Sequence, residues 1–380
     1  MQWLTRVDEL NSNRMQQAKN LKVQGKTVIG YFCCFVPLEL MTALDLVPYR
    51  IMGSVTEGIT QADTYLETIM CPFVRSSFDL SLKGVYDFLD GLVVPHSCDT
   101  IQRIYDIWLR YHRPAYSHFV NVPHMLDPSS FEFFENELST FKKSLEKFVQ
   151  RDISDQSLRQ AIQLHNENRR LLRELYELRK NEPPLISGTE IMKLLVAGVT
   201  IPVTEYNELV RGVTKEVKER KNVPAQKRAR ILVYGAEVDD AAFIELVEES
   251  GANVVMDEMC LGTRTCGYDV VMTDNLLGSL SRHYLEDIQC PRTYRPKVGT
   301  HQKDLENRFG YFLDYAREFK VNGVILYITR YCDTFELDAP DLGDYLREAG
   351  LPVLNLENDY SVTTFGQLRT RVQTFLEMIL

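Results

Sequence analysis

There is no C-x-x-C pair anywhere in these 380 residues. Cys260 and Cys266 have no second close pair to complete a tetrahedral set, so a structural zinc site is not expected. Eight cysteines are too sparse for a disulfide scaffold of this length, which leaves buried thiols or metal ligands in a reducing compartment. Long apolar runs are also missing. No stretch approaches the ~20 apolar residues that cross a bilayer, and the opening MQWLTRVDELNSNRMQQAKN has no apolar signal core. The chain is therefore expected to be cytoplasmic, with no membrane partner. Positive charge is in deficit, 43 Lys and Arg against 53 Asp and Glu, and the net charge of −10 repels phosphate backbones; nucleic acid is not expected as a partner. Nucleotide loops are absent too. QGKTV carries the G-K-T of a phosphate-binding loop, but Asn20 stands where its first glycine belongs and the tripeptide precedes an apolar run. GYFCCF has one glycine where a dinucleotide fingerprint needs three, so neither ATP nor NAD is expected on this chain.

What is present is alternation. The runs TVIGYF, PYRIMG, GLVVP and YSHFVNVPH read as strands, separated by helical stretches beginning at Pro37, within CPFVRSSFDLSLKGVYDFLD, and at Asp99. From about Ser129 to Lys221 the pattern becomes helical, with SLRQAIQLHNENRRLLRELYELRK amphipathic and stopped by NEPP. The charged, proline-containing KNVPAQKRAR reads as a linker. Strand and helix then alternate again through ILVYG, NVVMDE, GVILYI and PVLNLE. The expected organisation is two α/β domains with parallel sheets, at 1–128 and 225–380, joined by a helical connecting region at 129–224. No sequence repeat is apparent between the halves.

In open parallel sheets, ligands bind beyond the carboxyl ends of strands, and this rule sorts the cysteines. Cys33 and Cys34 follow TVIGYF, Cys98 follows GLVVP, and Cys332 follows GVILYI. Cys71 opens CPFVRSS, where a helix N-terminus is expected to lower a thiol's pKa. Cys260, Cys266 and Cys290 lie in less regular sequence and are read as packing residues. Spacing leaves two readings open: buried thiols, or an iron–sulfur cluster gathered from cysteines far apart in sequence. Arg75 and Asp99, next to Cys71 and Cys98, could orient cluster sulfurs or form surface ion pairs. His96 is the one histidine near these positions, and reads as a strand-end imidazole more readily than as a ligand.

Taken together, GYFCCFVPLELMTALDLVPYRIMG, CPFVRSS, VVPHSCDT, RILVYGAEVDD, CLGTRTC, YCDTFELDAPDLGDYLREAGLPVLNLENDY and GQLRTRVQTFLEM resemble the benzoyl-CoA reductase and 2-hydroxyacyl-CoA dehydratase family over most of the chain. The resemblance implies two Rossmann/flavodoxin-like domains and a 4Fe–4S cluster held by Cys71, Cys98 and Cys332, with one non-protein ligand. Cys33, Cys34, Arg75, His96 and Asp99 would stand beside that cluster. It implies three partners: a homologous larger cluster-bearing subunit, a separate iron–sulfur activator dimer that couples ATP hydrolysis to electron transfer, and an acyl-CoA thioester. The blocks around Cys71 and Cys98 look most like the smaller subunit of an ATP-dependent benzoyl-CoA reductase, an oxidoreductase subunit active only with its partners. The small subunit of a 2-hydroxyacyl-CoA dehydratase, a lyase, is the alternative, and a non-catalytic electron carrier a third. Relatives with double-cubane clusters carry additional cysteines between the first two ligand blocks; Val74 to Ser97 holds none.

Overall fold

The computed structural model describes residues 2–379. Two helices, α1 (Gln2–Ser12) and α2 (Arg14–Val23), precede the first α/β unit. That unit runs β1 (Val28–Tyr31), α3 (Leu38–Thr42), β2 (Val47–Arg50), α4 (Pro72–Leu82), β3 (Gly91–Pro95), α5 (Asp99–Tyr111) and β4 (Tyr116–Val120). Four helices follow: α6 (Pro128–Val149), α7 (Asp155–Glu177), α8 (Gly188–Gly198) and α9 (Val203–Glu219). Side chains of Asp127, Ser154 and Ser187 accept amide hydrogen bonds at the starts of α6, α7 and α8, satisfying donors that the helices leave free. The second unit begins with β5 (Ala229–Gly235), α10 (Ala242–Glu249) and β6 (Ala252–Glu258). An excursion carrying α11 (Thr263–Cys266) and α12 (Leu276–Arg282) leads to α13 (His301–Glu318), and β7 (Gly323–Thr329), α14 (Asp333–Glu348), β8 (Val353–Asn358) and α15 (Phe365–Met378) complete the unit.

The two sheets are built alike. Each has four parallel strands, in the orders β2-β1-β3-β4 and β6-β5-β7-β8. The central strands β1, β3, β5 and β7 are buried throughout, as they must be when helices cover both faces, while β8 at the sheet edge is partly exposed. In this order the chain leaves the first strand to one side and the third to the other. A crevice therefore opens at their carboxyl ends, between β1 and β3 in one unit and between β5 and β7 in the other.

Packing does not follow the expected boundaries at 128 and 224. The connecting helices form no core of their own. Phe134, Leu138 and Phe141 of α6, with Leu158 and Ile162 early in α7, join the first core, whereas Leu172 and Leu175 later in α7, with α8 and α9, join the second. Two further exchanges stitch the units together. Val7 and Leu10 of α1 pack into the second core, and the excursion after β6 returns Leu276, Leu280, Tyr284 and Ile288 to the first. Glu39, fully buried in α3, marks the seam: it accepts from Arg169 of α7 at 2.6 Å and from Tyr284 of the excursion at 2.8 Å.

Polar contacts also fix the units face to face. Arg50, at the end of β2, donates to both carboxylate oxygens of Glu237, beyond β5, at 2.6 and 2.8 Å. Asp239 accepts the Gly53 amide at 2.9 Å and the Tyr360 hydroxyl. A side chain at Gly53 would have to stand 2.6 Å from the Tyr360 ring, so glycine is required for the approach.

Candidate metal centre at the facing strand ends

The crevices of the two sheets open towards each other, and each delivers a cysteine to the same place. Cys98 lies three residues beyond β3 at the start of α5; Cys332 lies three residues beyond β7 at the start of α14. The local sequence is repeated as well: Cys98-Asp99-Thr100 in one unit, Cys332-Asp333-Thr334 in the other. Such a short match is invisible as a repeat until the topology aligns it. Cys71 occupies the corresponding cap position of α4, where Pro72 fills the first turn without losing a useful donor. Three helix N-termini thus converge, with Cys71, Cys98, Cys332 and Cys33 lining one cavity of ≈ 70 Å³. One water needs ~10–15 Å³, so this is room for a bound group and more than a packing defect.

The expected lowering of the Cys71 pKa is not what the structure gives. Burial pushes Cys71 and Cys98 up to about 12, against the amides of Phe73 and Val74 at Cys71 and of Ile101 and Thr100 at Cys98. Cys332 is raised well above the ordinary thiol range by burial and then by Cys71 and Cys98. Three thiols crowded in a dry crevice keep their protons unless a cation replaces them. Cys33 behaves differently. A hydrogen bond with the Cys34 thiol, 4.0 Å away, together with the Arg50 charge, outweighs burial and pulls Cys33 below the ordinary thiol range.

The remaining expected neighbours divide. Cys34 lines an adjacent cavity of ≈ 110 Å³ that shares Cys33 and Cys260 with the first. Arg75 does not reach the crevice: it is held by Asp63 at 2.7 and 2.8 Å and by the Thr68 carbonyl. His96 bonds Asn121 at 3.3 Å and stands edge-on to His124, and Asp99 is exposed at the start of α5. Cys260 and Cys290, read as packing residues, do pack in or against the first core, and both also line the same cavity as the three capping cysteines. The excursion after β6 carries them back to the first unit, and no local pattern announces that return. Cys266 lines only the adjacent cavity.

Sequence reasoning also missed Ser97, Glu237 and Arg292 on the cavity wall. Arg292 is 5% exposed, lies 4.7 Å over the Phe35 ring, and donates to the carbonyls of Ser97, Val122 and Pro123. Among the described residues no carboxylate pairs with it. A buried cation without an anion is costly, so the cavity asks for negative charge. Ser97 is buried there beside Cys33.

For a single metal ion the site is wrong, because among the described residues no three His, Cys, Asp or Glu side chains come close enough to share one. An iron–sulfur cluster asks for something else: each thiolate takes a different iron, so the cysteines stand apart around the cluster body. The all-thiol donor set, the converging helix N-termini and the unpaired guanidinium suit such an anionic group.

Comparison with known proteins agrees with the resemblance. A benzoyl-CoA reductase subunit from Thauera aromatica is 28% identical over 362 residues, covering 93% of this chain and 91% of that one. The (R)-phenyllactyl-CoA dehydratase beta subunit of Clostridium sporogenes is 25% identical over 362 residues, covering 95% and 94%. The beta subunit of (R)-2-hydroxyglutaryl-CoA dehydratase from Acidaminococcus fermentans is 24% identical over 365 residues, covering 94% of each. Residues 33–379 match the family described as 2-hydroxyglutaryl-CoA dehydratase, D-component, and the chain belongs to that family.

Proposed function

We propose that this chain is the iron–sulfur subunit of an ATP-dependent aromatic acyl-CoA reductase, with the cluster held by Cys71, Cys98 and Cys332. The observation that carries the reading is the meeting of three helix-capping thiols on one cavity beside a buried guanidinium that lacks an anion. A cluster bound there supplies one-electron transfer at low potential. The chain's own residues do the rest. Cys71, Cys98 and Cys332 would hold the group as thiolates, the N-termini of α4, α5 and α14 would face its negative charge, and Arg292 would balance part of it from a wall closed to water. The acyl thioester is assigned to a larger homologous subunit, and the electrons to an ATP-hydrolysing activator. An electron pair and a pair of protons added to the ring turn the aromatic thioester into a cyclic diene thioester.

The dehydratase reading stands second, favoured by the family description and by two of the relatives above. The complex assembled with partner, activator, ATP and a strong reductant separates the two. Ring-reduced product from benzoyl-CoA, with 2-hydroxyacyl-CoA thioesters untouched, supports the reductase. Dehydration of a 2-hydroxyacyl-CoA without ring reduction puts the dehydratase in its place.

A further inference from the structure

Among the described residues, the cavity that gathers Cys71, Cys98 and Cys332 has one cationic side chain on its wall, Arg292, brought there by the excursion after β6. The carboxylates on that wall are Glu237, paired with Arg50, and Asp333, exposed at the start of α14. We propose that Arg292 is a positioning residue for the cluster: its charge raises the cluster's reduction potential, and its carbonyl bonds hold the turn that presents Cys98. The inference rests on the iron–sulfur reading and goes beyond it by assigning the potential to one side chain.

Geometry fixes the guanidinium from three directions. Its Nε donates to the Ser97 carbonyl at 3.1 Å, Nη1 to the Pro123 carbonyl at 3.1 Å and Nη2 to the Val122 carbonyl at 2.9 Å, so it spans the carboxyl ends of β3 and β4. Ser97 is the residue before Cys98. The backbone is anchored as well: the Arg292 carbonyl accepts from His124 Nδ1 at 3.0 Å, and the His124 carbonyl accepts the Tyr294 amide at 2.7 Å. A segment of the second unit is thereby clipped to the strand ends of the first, beside a proposed ligand.

Carbonyls satisfy the hydrogen bonds of a guanidinium but do not cancel its charge. The buried arginines on neighbouring walls differ in this respect: Arg50 is paired with Glu237, and Arg264, which donates to Cys260 Sγ, is paired with Glu258. Arg292 has thiols instead of a carboxylate near it; burial lowers its pKa, and the charges of Cys290, Cys33, Cys34 and Cys98 oppose that lowering. A fixed charge in a wall closed to water is screened far less than the same charge in solvent. An added electron makes a cluster more negative, so a cation held beside it favours the reduced state. Arginine suits both tasks, because it has no neutral form in proteins and its planar fork reaches three carbonyls at once.

The test uses the full chain purified without oxygen, with iron and sulfide assays and a redox titration followed by EPR. Arg292→Met is expected to lower the midpoint potential by about 59 mV or more, a tenfold shift in a one-electron equilibrium, and to hold less iron. Arg292→Lys keeps the charge without the fork, so its potential should lie nearer the wild type although its iron content also falls. Arg292→Gln, neutral yet able to bond a carbonyl, should follow Arg292→Met in potential. Arg75→Met, whose partner Asp63 lies away from the crevice, should match the wild type in both readouts. If Arg292→Met does not fold, the gap between Arg292→Lys and Arg292→Gln carries the same test. Wild-type potentials in the neutral variants overturn the electrostatic role, and full iron content in them overturns the clip. Should neither neutral variant hold a cluster while Arg75→Met does, Arg292 is a structural clip alone and the assignment of the potential is overturned. Wild-type protein without iron and sulfide overturns the iron–sulfur reading itself.

Discussion

The two α/β units share strand order, a crevice in the same place and a Cys-Asp-Thr turn after the third strand, yet they differ just beyond the first. There the first unit carries Cys33 and Cys34, and the second carries Glu237. The fold therefore fixes where a group can be bound, and residue identity at a few strand ends decides what is bound. Where the units are alike, at Cys98 and Cys332, they meet on one cavity as equals. Where they differ, the second unit contributes a charge: Glu237 pairs with Arg50 of the first unit and helps hold the crevices face to face.

If that comparison is sound, its largest consequence is equivalence. Cys98→Ser and Cys332→Ser should each lose most of the bound iron, to a similar extent, because a hydroxyl is a poor ligand for a soft metal. Cys266→Ser, on the adjacent cavity only, should keep it; colorimetric iron assays on the anaerobic proteins decide. A marked inequality between Cys98 and Cys332 would break the symmetry.

The next effect concerns the unlike positions. Glu237→Gln strands the Arg50 guanidinium, which cannot deprotonate, and should cost ~3–5 kcal/mol in urea unfolding. Arg50→Met should cost less, because burial already holds the Glu237 carboxyl above its usual range and lets it take up a proton. A folded pKa above the unfolded one favours the protonated folded state, so the Arg50→Met defect should shrink as pH is lowered towards the carboxylate range. Equal, pH-independent losses in both variants would contradict this account.

A smaller effect lies at the seam. Burial would push Glu39 up, but Arg169 and His165 outweigh it and hold the carboxyl down at about 2. The linkage contributes about 3 kcal/mol, present in full above the unfolded value of about 4.5 and lost as pH falls from there through about 2. Arg169→Gln should remove most of this acid-limb dependence in unfolding curves taken between those values. The smallest expected effect is none: Gly25-Lys26-Thr27 precedes β1 instead of linking a strand to a helix, so equilibrium dialysis of labelled ATP with the isolated chain should show no stoichiometric micromolar binding.

Much of the fold was legible because buried parallel strands are short apolar runs between breakers, and all eight strands lie within or overlap such runs. Strand ends pointed to Cys33, Cys98 and Cys332, and all three line one cavity. What could not be read was long-range return. Nothing in the local pattern of CLGTRTC or DIQCPR shows that this excursion packs on the first unit, so Cys260, Cys290 and Arg292 were invisible as cavity residues. Helix α1 escaped for the same reason, its partners α8 and α9 being far along the chain. The thiol pKa values were misjudged because a helix N-terminus is local and readable, while burial between two units is neither.

The claim underlying all of this is that the facing crevices hold an iron–sulfur cluster, and its most direct test is iron and acid-labile sulfide in the wild-type chain, purified without oxygen. The account predicts iron and sulfide in equal amounts, about four of each per chain, with an EPR signal on reduction. Protein that binds its partner subunit yet contains neither iron nor sulfide above background would contradict it.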